Sequence, residues 1–316
     1  MSDLEITDSP LTKPGFSPPP PDDLGILQQI AASISMPFAF SHCTAARILG
    51  WPVPWVAQVS GDVHVMTRTP DGQIRTTGFV GHRGLESRDV SILHDLPVVA
   101  PAHTWVDLGE LVGPGLPYFF EDIIGSGDQA LNRGCTKAEL RALVESRNRP
   151  RGKRTLLPAL VWMRKGSESM LETQWRLCCQ RARLPQADLN RNRYAPGGRF
   201  LFRPDLSWLA KRIALECQGV EFHDTPEAAA ADGERMRRGS ADRWTFHEVR
   251  SQQLWDKSAR DTALMELADG LEFPARRLDL VGAEPMPYSP EAAETLRENL
   301  RRRNRLSCQG LWRPTR

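Results

Sequence analysis

The chain predicts an α/β fold in two parts, and three observations carry that expectation. Its 316 residues suffice for two domains of ordinary size. From Arg199 to His223, apolar and polar residues alternate as in a half-buried β-hairpin. Beside that hairpin lie stretches with helical spacing, among them Ser169 to about Arg183, where Leu171, Trp175, Cys178 and Ala182 form an apolar stripe with Glu172 and Arg176 on its flank. A composition of 40% hydrophobic and 25% charged residues is that of a globular protein rather than a disordered or fibrous one.

Within the hairpin, Phe200, Phe202 and Leu206 share one face and leave Arg203 and Asp205 on the other. In the second strand Ile213, Leu215 and Cys217 alternate with Ala214, Glu216 and Gln218. A turn centred on Ala210-Lys211 sets Asp205 directly across from Glu216. Opposed residues on one face have Cβ atoms about 5 Å apart, where like charges repel. A divalent cation held between the two carboxylates would remove that repulsion. Hydration on an open sheet face is the alternative. Glu172 stands upstream on the predicted helix, and the spacing of Ser169 and Glu172 is that of a capping box, in which Glu172 would bond the N–H of Ser169.

The acidic helix, Pro204-Asp205 and Glu216-x-Gln218 together resemble the PD-(D/E)xK nuclease core, and specifically its very-short-patch-repair-like (Vsr-like) branch. The likeness runs from Ser167 to Arg250 and includes GSESMLETQWRL, Asp232 with Arg235, and Trp244 to Val249. It implies a restriction-endonuclease-like mixed sheet flanked by helices over residues 155–284. It further implies Mg²⁺, with Mn²⁺ as a substitute, held by Asp205, Glu216 and the backbone carbonyl of Cys217. Glu172 would orient water or complete the metal shell. Gln218 holds the place of the family's lysine, where it can hydrogen-bond the attacking water but cannot serve as cation or base. His223 resembles the histidine that follows the second strand, a general acid or phosphate contact. The implied activity is Mg²⁺-dependent hydrolysis of DNA phosphodiester bonds, in DNA repair or phage defence. The alternative is a catalytically silent, nuclease-like DNA-binding or antitoxin-type regulator.

Ahead of this part, Leu24 to Ser35 reads as a short helix, and Ser41 as the cap of another that ends at Gly50 and Pro52. Val63 to Met66 and Ile74 to Val80 read as strands around a Pro70-Asp71-Gly72 turn. Thr104 reads as the N-cap of a helix through Leu108. The phrases SHCTAARILGWPVP, VHV, GHR and LPVVAPAHTWVDL resemble the module akin to abortive-infection (AbiEi-like) antitoxin regulators that precedes the nuclease-like domain in actinobacterial Vsr-like proteins. That resemblance implies a smaller α+β module over residues 24–146. Its histidines 42, 64, 82, 94 and 103 match no zinc spacing and read as structural or surface residues. Residues 1–23 are expected to be a disordered Pro-rich tail and 285–316 a basic helical one. Helices are also expected around Gly134-Cys135-Thr136, over Pro226–Arg238 and over Asp256–Leu267, with a domain boundary at Arg147–Arg154.

The net charge is only +2, but from Arg141 to Arg203 there are 15 Lys and Arg against 4 acids. Such a segment attracts polyanions, and DNA is the expected partner. The six cysteines form no CxxC pair, which argues against a zinc framework or a disulfide scaffold and fits a reducing cytosol. No apolar run is long enough to cross a bilayer, so a cytoplasmic protein without a membrane partner is expected. The oligomeric state is left open.

Overall fold

The computed structural model describes residues 23–285, except 55–56, 58–60, 114–115, 117, 148–150 and 219–241. The chain divides into two compact units and is mixed α/β. Among the described residues, one unit takes the chain up to Ile123 together with Cys135–Val161, and the other takes Ile124–Gly134 with Trp162–Pro285. Arg147–Arg154 thus falls within the first unit, and the chain changes unit inside the helix Phe120–Asn132.

The first unit opens with α1 (Leu24–Ser33), β1 (Phe38–Phe40) and α2 (His42–Ile48), followed by β2 (Val63–Thr67) and β3 (Phe79–Arg83). Next come β4 (Val90–Leu93), β5 (Leu96–Val99) and α3 (Pro101–Leu108). The strands form one mixed sheet in the order β3-β2-β1-β5-β4. Strands stand on both sides of the expected turn, but the second begins at Phe79 rather than Ile74 and runs parallel to the first. The turn is present, with Asp71 N–H donating to the Arg68 carbonyl at 3.2 Å. The polar residues after it do not join the ladder, and the chain returns to the start of β2 before β3 begins, since parallel strands need a crossover. Gly81 lies where that returning segment presses on β3, and a Cβ there would collide with the Ile74 carbonyl. Helix α3 likewise starts earlier than expected. Pro101 occupies its first turn, where a missing N–H costs nothing. Thr104 lies inside, its hydroxyl donating to the Val99 carbonyl at 2.7 Å.

Helix α4 (Phe120–Asn132) and α5 (Lys137–Ser146) flank the expected break, and Thr136 caps α5 by accepting from Glu139 N–H at 3.1 Å. Helix α6 (Lys153–Trp162) then leads to α7 (Met170–Arg181).

In the second unit, β6 (Asp188–Leu189), β7 (Arg193–Tyr194), β8 (Phe200–Phe202), β9 (Leu206–Trp208), β10 (Ile213–Gln218) and β11 (Thr245–Arg250) precede α8 (Ser251–Trp255) and α9 (Lys257–Gly270). The expected first hairpin strand is split at Arg203-Pro204. Its front half, β8, pairs with β7 in a small separate sheet. Proline has no N–H for a ladder, and the strand resumes beyond it as β9. The larger sheet has the order β11-β10-β9-β6, antiparallel except for the parallel pair β10–β11. One face of it packs Leu206, Ile213, Leu215 and Val249 against Trp175 and Cys178 of α7 and Leu264 of α9. The other gathers Leu201, Phe202, Ala214 and Trp244. Helix α7 is buried nearly all round, so Arg176 is not on an open flank. It is 2% exposed, donates to Asp128 at 2.7 Å and to the Trp162 carbonyl at 2.9 Å.

Candidate functional site

The β9–β10 ladder pairs Trp208 with Ile213, Ser207 with Ala214, and Leu206 with Leu215. Asp205 lies in the bend just before β9, where continuing that register by one step would bring it across from Glu216. Beyond Leu206 a side chain replaces the ladder, because Asp205 Oδ2 accepts the Cys217 N–H at 2.7 Å. A strand residue sends its N–H and C=O out of the same edge, so the Cys217 carbonyl opens toward Asp205. Glu216 is 4% exposed and Asp205 half-buried.

Glu172 stands at the first turn of α7, 6% exposed. Half of the expected capping box exists, with Ser169 Oγ accepting from Glu172 N–H at 3.2 Å. The returning bond goes elsewhere: Glu172 Oε2 accepts from the N–H of Glu168 at 2.8 Å instead of Ser169, and from Asn190 Nδ2 at 2.6 Å. Asn190, in the left-handed region at φ 48° that asparagine tolerates, also donates its N–H to the Asp205 carbonyl at 2.9 Å. It therefore ties the buried carboxyl to the strand that carries Asp205. Burial pushes the Glu172 carboxyl up to about 7; the Glu168 N–H opposes this and the Asp205 charge adds to it. The Cys217 thiol is pushed well up by burial, and next by Asp205, Glu172, Cys179 and Glu216, so three carboxylates bear on one locus.

The parallel neighbour contributes residues that the sequence reading did not single out. Glu248 is the register partner of Glu216, and Arg250 that of Gln218, and both are exposed. Strand alternation could have found them, since Trp244 and Phe246 belong to the same face and pack beside Ala214. Asn190 carried no comparable signal, being one polar residue in a loop between short strands.

The donors at this locus are oxygens, which suits a hard cation such as Mg²⁺. Asp205, Glu216 and the Cys217 carbonyl are the oxygen donors that could hold such an ion. Among the described residues, sets of three side-chain donors all within 4.8 Å of one another lie elsewhere, around His42. Glu172 is thus not part of such a set of three, and it is linked to Asp205 through Asn190. His223, Asp232, Arg235 and the expected helix Pro226–Arg238 lie outside the described residues.

No family model matches this chain, and no curated protein or solved structure matches it at a significant level.

Proposed function

We propose that the second unit is a metal-dependent DNA endonuclease domain of the Vsr-like PD-(D/E)xK kind. The observation that carries this reading is the meeting of Asp205, Glu216 and the Cys217 backbone where the β9–β10 ladder opens, with buried Glu172 behind them. A helix bearing one acid, antiparallel strands bearing two more, and a parallel last strand follow the order of that nuclease core. When bound, Mg²⁺ supplies charge neutralisation at the scissile phosphate and a lowered pKa for the attacking water. Asp205 and Glu216 would hold the ion in place. Glu172, titrating at about 7, exchanges a proton with water at neutral pH. Gln218 fixes the attacking water by hydrogen bonding, and Arg250 beside it provides the fixed positive charge that glutamine lacks. Exposed Lys165, Arg191 and Arg199 offer contacts to the DNA backbone. On the same sequence likeness the first unit is an AbiEi-like module, and the protein acts in the cytoplasm.

The test is incubation of pure protein with supercoiled, mismatched and single-stranded DNA in Mg²⁺, Mn²⁺ or EDTA. The reading predicts nicking of at least one substrate that EDTA abolishes. Tight DNA binding without cleavage under every metal condition would make the protein a non-cleaving regulator instead.

A further inference from the structure

Three histidines far apart in sequence meet in the first unit. His42 opens α2, His64 is on β2 and His82 on β3, and one ring nitrogen from each lies within 4.8 Å of the others. The His42 and His82 rings stack with centroids 3.6 Å apart. His64 Nδ1 and His82 Nε2 are 3.0 Å apart. That contact is a hydrogen bond, and two ligands on one tetrahedral ion, with bonds of ~2.0–2.1 Å, stand only slightly wider, about 3.3 Å apart, so an ion would replace the shared proton and the stacked His42 ring would turn its Nε2 toward it. His42 is 1% exposed, and its Nε2 is buried without a hydrogen-bond partner. A buried nitrogen in that state costs free energy unless something satisfies it. Its other nitrogen, Nδ1, lies 3.1 Å from Ser41 Oγ. With Ser41 accepting from Nδ1–H, the Nε2 lone pair is the one left for an ion, as in metal sites whose outer partners fix the tautomer.

The geometry points to a divalent transition-metal site, of the Zn²⁺ type, with His42, His64 and His82 as its ligands and a fourth position left to water or another small donor. Imidazole nitrogens select this class of ion over Mg²⁺ or Ca²⁺. A second grouping, His42 with Asp107 and Glu110, is a poorer ligand set. Asp107 is wholly buried and already accepts from Arg88 at 3.0 Å and Arg147 at 2.7 Å.

The site is tested by loading the metal-stripped full chain with Zn²⁺ or Co²⁺. One ion per chain is expected at the histidine cluster, with the visible absorption of tetrahedral cobalt and a rise in Tm on binding. X-ray absorption at the zinc edge of the wild type should show imidazole nitrogen and no sulfur, a reading that needs no variant. His82→Gln, at a half-exposed strand position, should keep its circular dichroism and lose affinity by roughly 100-fold or more. His94→Asn, outside the cluster, should bind as the wild type does. A thiolate or all-oxygen zinc shell, no cobalt band, or unchanged binding by folded His82→Gln would each overturn the site.

Discussion

Burial holds the Glu172 carboxyl at about 7 against an ordinary 4.5, and that displacement is readable as stability. The folded chain binds this proton more tightly than the unfolded chain. The cost is therefore absent below about pH 4.5, grows as pH climbs toward 7, and is complete above it, at up to about 3 kcal/mol. Glu172→Gln keeps an oxygen to accept from Asn190 and Glu168 but carries no charge. Its Tm relative to the wild type should rise between about pH 5 and about pH 8. A difference that stays constant over that range would contradict the buried, proton-binding environment. The capping spacing of Ser169 and Glu172 was legible in sequence because it is local. The Asn190 contact was not, because it comes from a loop 18 residues away whose position only the folded chain defines.

Helix α7 shows the same limit at the scale of the element. Its span could be read from helical spacing, but its burial on every side could not, since Asp128 lies 48 residues upstream of Arg176. Asp128 also accepts from Arg164 N–H at 2.6 Å and Thr173 Oγ1 at 2.9 Å, making a buried network around one charge. Burial raises the Asp128 carboxyl, and Arg176 is the chief group opposing that rise. Arg176→Met should cost roughly 3–5 kcal/mol in denaturant unfolding, because it strands a buried charge. Adding Asp128→Asn should recover part of it. A loss under about 1 kcal/mol for the single variant would show that the pair is not the support of α7. Among strands, the β9–β10 register was legible because a tight turn fixes it. The turn at Asp71-Gly72 misled, since a turn signal does not say whether the next strand pairs at once or only after a crossover.

The molecule's charge was less legible than its division into two parts. The count from Arg141 to Arg203 overstates the exposed positive surface, because Arg147, Arg176 and Arg193 are spent on Asp107, Asp128 and Asp188 within their own units. Lys165, Arg191 and Arg199 remain exposed in the second unit. DNA affinity should fall as salt rises, and Arg191→Glu/Arg199→Glu should weaken binding to all sequences alike, lowering the salt slope by about 1 per lost phosphate contact. Unchanged binding would remove this surface from the interface. The claim on which the account turns is that Asp205 and Glu216 hold a catalytic cation. It is tested most directly by single-turnover nicking of supercoiled DNA by the wild type, Asp205→Asn and Glu216→Gln, each in Mg²⁺ and in EDTA, with folding checked by circular dichroism. Mg²⁺-dependent nicking by the wild type is expected, with a loss of at least roughly 100-fold in each folded variant. Nicking that persists in either variant at the wild-type rate would contradict it.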